Sequence, residues 1–326
     1  MKSLPKERGQ GDVIKARAVV FENPQALAMR QFDLPPPGPG EVLVHVEFTG
    51  ISTGTEKLLW SGDMPPFPGM GYPLVPGYET VGRIVECGEG TRASVGDRVF
   101  VSGAACYGEI RGLFGGASSH VVVNESKTIK VGDDLQDNAI LMALAATAHH
   151  ALFAGEQRAL PELIIGHGVL GRLLARLTLA LGGLPPTVWE ISEHRRHGAT
   201  EYPVTPPQLD DRRDYRRIVD ASGDPSIVDV SVQRLAKQGE IVLAGFYSAP
   251  LSFDFAPAFM REARIRIAAE WQPEDLVQVR QLLDTGALSL EGLITHHEPA
   301  AAADTAYRTA FEDPACLKMV LDWRVD

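Results

Sequence analysis

The run Leu163-Ile164-Ile165-Gly166-His167-Gly168-Val169-Leu170-Gly171 sets three glycines at G-x-G-x-x-G spacing behind a short apolar stretch. That spacing suits a dinucleotide. Gly166 allows a tight turn, Gly168 lets backbone approach a pyrophosphate, and Gly171 lets helix and strand pack closely. His167, Val169 and Leu170 complete the turn, and helix-like sequence from Arg172 to Leu181 follows, so free N–H groups would face the phosphates. A second apolar strand, Thr187-Val188-Trp189, ends on Glu190, about 20 residues on, where a carboxylate can accept ribose hydroxyls. Strand, glycine turn, helix, strand and acid in this order predict an NAD or NADP site; the bland alternative is a βα unit with glycines for packing. A 2′-phosphate beside Glu190 would place like charges close together, so NAD is expected. Arg195 and Arg196 argue the other way, but they are read as lying on the exposed start of the next segment, with Glu193 offsetting them.

The elements around this motif follow from period and punctuation. From Leu163 the chain alternates strand and helix: Leu163 to Ile165, helix, Val188 to Glu190, Tyr215 to Ala221, a helix over Ser226 to Lys237, and Glu240 to Ala244. Such alternation implies a doubly wound parallel sheet with helices on both faces, an α/β arrangement. Ligands bind at the carboxyl ends of such strands, which assigns Ser222, Gly223, Gly245 and Phe246 to the nicotinamide pocket. Residues 199–213 are polar and irregular. Arg264 to Ala269 reads as a last strand, Pro273 to Leu283 and Ala303 to Glu312 as helices, and Met319 to Trp323 as a strand. The first 145 or so residues are β-rich: Ala16 to Phe21, Val42 to Phe48, Thr80 to Glu86, Arg98 to Val101 and Ser119 to Val123 are strand-like. The proline-rich stretch Leu34 to Gly40 reads as the turn between the first two. An alanine-rich helix begins near Leu141.

Composition narrows the partners. At 326 residues, two domains are expected, and 44% hydrophobic with 22% charged residues is ordinary for a globular enzyme. The net charge of −11 has no basic stripe to offset it, which argues against nucleic acid. No apolar run approaches the length of a spanning helix, so no integral membrane segment is expected. Residues Met1 to Lys15 are polar, without the apolar core of an export signal. Cys87, Cys106 and Cys316 are few, odd in number and widely spaced, which suits a reducing cytoplasm and offers no CxxC metal framework.

A β-rich front half, a mid-chain Rossmann unit and a short return segment resemble the medium-chain dehydrogenase/reductase superfamily. Gly77-Tyr78-Glu79-Thr80-Val81-Gly82 stands where the family has G-H-E-x-x-G. Val95-Gly96-Asp97-Arg98-Val99 matches its G-D-R-V turn, and Gly115 to Val121 matches its G-x-F/A-x-x-Y-V strand. The resemblance implies a GroES-like β-rich catalytic domain, 1-146 with 272-326, and a Rossmann dinucleotide-binding domain, 147-271. It also implies a homodimer paired through the strand at Arg264 to Ile267. The runs Gly50 to Gly62, Met64 to Leu74 and Ile267 to Pro273 are similar to a zinc-free branch of that superfamily in bacteriochlorophyll biosynthesis. That branch oxidises the hydroxyethyl side chain of a tetrapyrrole to an acetyl group with NAD.

Zinc members hold their metal with a Cys, the His of G-H-E, and a Cys or acid near the domain junction; here those places carry Ser52, Tyr78 and Ala143, a poor ligand set. No metal is therefore expected. The resemblance puts Thr55 where the family's hydroxyl meets the substrate alcohol, Tyr78 in the cleft, and His149 and His150 near the domain junction, where imidazole can relay a proton. Thr55, Tyr78, Glu79 and His149 are the catalytic candidates, and Ser52 and His150 are assigned to the substrate. Plainer readings compete. Thr55 could cap the following helix, Tyr78 could be packed aromatic, one histidine at most could face the site, and Glu79 could be a supporting carboxylate. Met64, Phe67, Met70 and Tyr72 on the loop Met64 to Gly77, with Phe114 opposite, would wall a flat tetrapyrrole, unless that loop folds back on its own domain. Lys57, Arg111 and Arg172 are candidate partners for a propionate. Two other functions stay open: a zinc-independent NADPH quinone or enone reductase, and a catalytically idle nucleotide- or pigment-binding carrier.

Overall fold

The computed structural model describes residues 13–153, 159–199 and 201–325. The expectation of no export signal rests on residues that fall largely outside these. Six strands form the sheet of the mid-chain half, in spatial order Val204–Thr205, Thr187–Trp189, Leu163–Ile165, Tyr215–Asp220, Leu235–Leu243 and Arg264–Ile267. All neighbouring pairs are parallel. In chain order that is 3-2-1-4-5-6, the doubly wound arrangement whose reversal point lies at the first strand, where the glycine turn sits. Leu163, Ile164, Val188, Ile218, Val219, Ile241 and Val242 are covered on both faces, which is why these strands read as continuous apolar runs rather than alternating ones.

The other half is mainly antiparallel, with parallel pairs only at its margins, among them His296–Pro299 beside Met319–Asp322. Glu41–Ile51 changes partner along its length: Glu41 to His45 pair with the strand His120–Asn124, whereas Phe48 to Ile51 pair with the C-terminal strand Met319–Asp322. On its other side runs Thr80–Cys87. The return segment thus enters the sheet that carries Ser52. A second sheet flanks Ile14–Asn23 with Ala26–Leu34 and Leu74–Val75, and Leu74–Val75 pairs in turn with Arg111–Gly112. The helix Met142–Phe153 packs on both Val169–Ala180 and Pro273–Asp284, so it joins the two halves in one apolar cluster.

Several expectations change. The turn read at Leu34 to Gly40 follows a strand, Ala26–Leu34, whose largely exposed face gave no apolar alternation; hairpin pairing with Ile14–Asn23 forms it. The helix read as Ser226 to Lys237 stops at Arg234, because Leu235 is drawn into the sheet beside Tyr215. The irregular 199–213 region contains the strand Val204–Thr205. A helix, Phe255–Arg261, was not foreseen, since its aromatic residues point outward.

The closure of the C-terminal strand on the sheet of Glu41–Ile51 is charged as well as apolar. Lys318 Nζ lies 2.7 and 2.8 Å from the Glu79 carboxylate oxygens and donates to the Ile51 carbonyl at 3.2 Å, and both side chains are fully buried. Removing one partner strands a buried charge. Lys318→Met is expected to cost about 3–5 kcal/mol in denaturant unfolding, and Glu79→Leu added to it should recover much of that loss. Wild-type stability in the single variant would refute this account.

Candidate functional site

Three hydroxyl-bearing residues converge where the sheet strand Glu41–Ile51 ends. Ser52 follows that strand, Thr55 opens the short helix Thr55–Ser61, and Tyr78 precedes Thr80–Cys87. Ser52 Oγ and the Tyr78 hydroxyl lie 2.8 Å apart. The Tyr78 ring meets Phe114 edge-on at 5.3 Å and lies 6.2 Å from Trp271. Burial raises the Tyr78 pKa, and the nearby Glu79 charge adds to it, while hydrogen bonding to Ser52 and Thr55 acts the other way. The phenol therefore stays neutral at physiological pH and serves as a hydrogen-bonding group, not as a free base. Gly54 occupies the N-cap and no side chain caps the helix, so Thr55 does not serve as the cap and instead hydrogen-bonds Tyr78.

Beneath these hydroxyls lie two buried acids and one cation. Both Glu79 carboxylate oxygens are bound by Lys318, an arrangement that matches the supporting-carboxylate reading of this residue. Glu56 accepts from the Ser52 amide at 3.1 Å and pairs with the Tyr307 hydroxyl at 2.7 Å. Burial pushes the Glu56 pKa up to about 7; hydrogen bonds from Tyr307 and Ser52 oppose this, Glu79 adds to it, and Lys318 opposes it weakly. Sequence reasoning passed over Glu56, although its place directly after Thr55 was the available signal; nothing local marked Lys318. The residue set does not suit zinc. Ser52 and Tyr78 bond each other, Ala143 is buried and apolar, and among the described residues no three His, Cys, Asp or Glu side chains are grouped to hold a metal.

One carboxylate holds both histidines. Asp275 Oδ1 lies 2.6 Å from His149 Nδ1, and Oδ2 lies 2.8 Å from His150 Nδ1. Asp275 also accepts from the Gln272 amide at 2.8 Å, completing a capping box at the start of Pro273–Asp284. Burial would raise the Asp275 pKa, but the Gln272 amide and the two imidazoles outweigh it and hold the carboxyl below its usual range. The short turn from Trp271 to Asp275 thus touches Tyr78 at one end and the histidines at the other.

The loop Met64 to Gly77 largely folds back on its own half. Met64 is buried in the apolar cluster and cannot line an open wall, Met70 and Tyr72 pack partly against that cluster, and the Tyr72 hydroxyl donates to Leu59 O. Phe67 stays exposed, and Phe114 is half-buried against Tyr78. Of the cations considered, Lys57 is bound to Phe311 O at 2.8 Å and Arg172 is buried against loop carbonyls. Arg111 is exposed beside Gly71.

The glycine turn fits a dinucleotide. Gly166 has φ +96°, open only to glycine at little cost, and a Cβ on Gly171 would lie 1.8 Å from Gly166 O. A Cβ on Gly168 would meet nothing within 4 Å, and Gly168 caps the helix Val169–Ala180 without a side-chain bond, leaving room and free N–H groups for phosphate. Glu190 ends its strand with Oε2 accepting from His167 N at 2.9 Å and Oε1 from Ser192 N at 2.8 Å. Ser222, Gly223, Gly245 and Phe246 come together at the carboxyl ends of two strands. A Cβ on Gly223 would lie 2.8 Å from Phe246 O, and one on Gly245 2.8 Å from Gly223 N. Asp220, not foreseen, organises this turn by accepting from Ser222 and Tyr247.

The raised Glu56 pKa makes a pH prediction. The folded state holds this proton to about pH 7, whereas the unfolded chain releases it near 4.5. The stabilising contribution is therefore complete below pH 4.5 and is lost as pH rises through 7. Glu56→Gln should flatten the decline in stability over that window, read from denaturant midpoints at several pH values; parallel curves for the two proteins would refute it.

Residues 38–133 match the alcohol dehydrogenase GroES-like domain. Over 95% of its length and 99% of the relative's, the chain is 56% identical to a 2-desacetyl-2-hydroxyethyl bacteriochlorophyllide A dehydrogenase of Cereibacter sphaeroides. It is 56% identical to the protein of that name from Rhodobacter capsulatus, again over 95% and 99% of the two chains. Among solved structures, an alcohol dehydrogenase from E. coli complexed with NADH superposes with a TM-score of 0.80, over 95% of this chain and 99% of that one, at 23% identity. The chain belongs to the medium-chain dehydrogenase/reductase superfamily, in the group of the 2-desacetyl-2-hydroxyethyl bacteriochlorophyllide A dehydrogenases.

Proposed function

We propose that this enzyme oxidises the hydroxyethyl side chain of a bacteriochlorophyllide or chlorophyllide to an acetyl group, with NAD as hydride acceptor and without a metal. The observation that carries the reading is the Ser52–Tyr78 hydroxyl pair standing where metal-dependent relatives in the superfamily need ligands, on a chain with a dinucleotide turn. The nicotinamide, when bound, accepts the hydride. The residues of the chain do the rest. Thr55 and Tyr78 position the substrate hydroxyl, and neutral Tyr78 donates to the oxygen as it becomes a carbonyl. His149, oriented through Nδ1 by Asp275, takes the proton. The carbinol carbon is attached to a conjugated macrocycle that spreads developing positive charge, so less electrophilic help is needed at oxygen. Phe67 and Phe114 supply apolar surface for the ring, and Arg111 is the cation open to a propionate.

Glu190 supports NAD over NADP, since its carboxylate stands ready for ribose hydroxyls and would repel a 2′-phosphate. The antiparallel half with the return segment, 1-146 with 272-326, forms the catalytic domain in this reading, and 147-271 the dinucleotide domain. The free cysteines suit a cytoplasmic setting, and among the described residues no helix is long and apolar enough to cross a membrane.

The assay is absorbance. NAD with a hydroxyethyl chlorin should shift the pigment's long-wavelength band, in the presence of chelator, with a higher kcat/KM for NAD than for NADP. Tyr78→Phe and His149→Ala should each lower turnover by roughly 10²–10⁴-fold. Pigment-independent consumption of NADPH would instead establish a quinone reductase, and binding without turnover a carrier.

A homodimer is part of the same reading. Arg264–Ile267 pairs on one side only, and beside this open edge stand Phe255 at 71%, Met260 at 72% and Ile267 at 74% exposure. Pairing of that edge with a second copy across a two-fold axis would cover them. Sedimentation should show a dimer that Phe259→Asp with Ile267→Asp converts to monomer; a wild-type protein monomeric at micromolar concentration would overturn this.

A further inference from the structure

His167 stands between two glycines of the phosphate turn, yet it is 0% exposed. Its ring turns into the segment after the second strand. Nδ1 lies 2.6 Å from Arg195 O, and Nε2 lies 3.0 Å from the Tyr202 hydroxyl, whose ring meets the imidazole edge-on at 5.7 Å. Burial, with help from the Arg172 and Arg176 charges, pulls the imidazole pKa down to about 4 against opposing effects of Arg195 O and Glu190. A neutral imidazole has one N–H. The carbonyl can only accept, so Nδ1 donates to Arg195 O and Nε2 accepts from Tyr202.

Arg172, on the first turns of the following helix, works on the same segment. Its Nε donates to His167 O at 3.1 Å, and one Nη donates to Arg195 O at 3.1 Å and His197 O at 2.8 Å. Gly198, at φ +84°, leaves room for that guanidinium, since a Cβ there would lie 2.7 Å from Arg172 Nη1. The segment held in this way begins at Glu190, whose Oε2 already accepts from the His167 amide. Residues 190–198 are mostly exposed and have little apolar packing, so side chains from the glycine turn and its helix supply their order.

We propose that His167 and Arg172 form a latch that holds the Glu190 to Gly198 segment against the glycine turn, and so sets affinity for the adenosine half of the cofactor rather than the rate of hydride transfer. The proposal rests on the dinucleotide reading of the turn. Both residues are positioning residues: they act through Glu190 and its loop, and preorganisation lowers the ordering cost of binding.

The test titrates NADH against the full-length protein by fluorescence and pairs this with steady-state kinetics on the hydroxyethyl chlorin. His167→Leu should raise the Kd for NADH and the KM for NAD about tenfold, with kcat at saturation changed far less, since two net hydrogen bonds are lost. Tyr202→Phe, which removes one hydroxyl and keeps the ring, should raise both about threefold. His167→Gln, which keeps a donor and an acceptor, should recover part of the loss. Unchanged NADH affinity in folded His167→Leu and Tyr202→Phe would overturn the latch, as would a fall in kcat with KM unaltered. If His167→Leu does not fold, Tyr202→Phe decides alone. Wild-type protein that fails to bind NADH or NADPH would overturn the dinucleotide reading itself.

Discussion

The buried pair between Glu79 and Lys318 is the constraint on which the mainly antiparallel half depends. It joins residues 239 positions apart in the chain, at 2.7 Å, in a place with almost no solvent. Lys318 brings the C-terminal strand beside Phe48 to Ile51, and its bond to Ile51 O fixes the backbone one residue before Ser52. Burying one cation between two acids has a second consequence. With Lys318 bound to Glu79, Glu56 is left without an ion pair of its own; burial raises its pKa, and it fixes the Ser52 amide and Tyr307 on either side. The hydroxyl pair above these groups is held by hydrogen bonds and charge.

The parallel half works by a different device. Its parallel strands are covered on both faces, so their register is set by apolar burial, and their carboxyl ends are left to carry function. Glycine does the steric work at Gly166 and Gly171, where a Cβ would collide with backbone, and at Gly168, where open space is the point. Asp220 at the end of its strand and Glu190 just after its own spend their oxygens on nearby amides and hydroxyls, and so order the two turns that follow.

The two halves meet through Met142–Phe153 and the turn from Trp271 to Asp275. Asp275 belongs to the helix that follows the last parallel strand, yet its carboxylate holds His149 and His150 on the helix that precedes the first. Trp271, four residues earlier, lies against Tyr78. Movement of one half against the other would therefore act on the hydroxyl site and on the histidines together.

Elements whose own residues dictate their conformation were legible in the chain. The order of strands around Gly166 to Gly171, the acid at Glu190, the turns at Ser222-Gly223 and Gly245-Phe246, and the helix Ala303–Glu312 needed only period, steric freedom at glycine and strand-end geometry. The convergence of Ser52 with Tyr78 was foreseen only through resemblance. What the tertiary structure alone decided are the pairings between distant residues: Glu79 with Lys318, Glu56 with Tyr307, Asp275 with two histidines, and the His167 ring with Tyr202. Met64 reads as an adaptable ligand wall until its loop closes over it, and Leu235 reads as helix until Tyr215 stands beside it in the sheet. The physical reason is the same in each case. Steric and periodic preferences act over a few residues and are written locally, whereas burial of a charge or a side chain depends on which part of the chain arrives next to it.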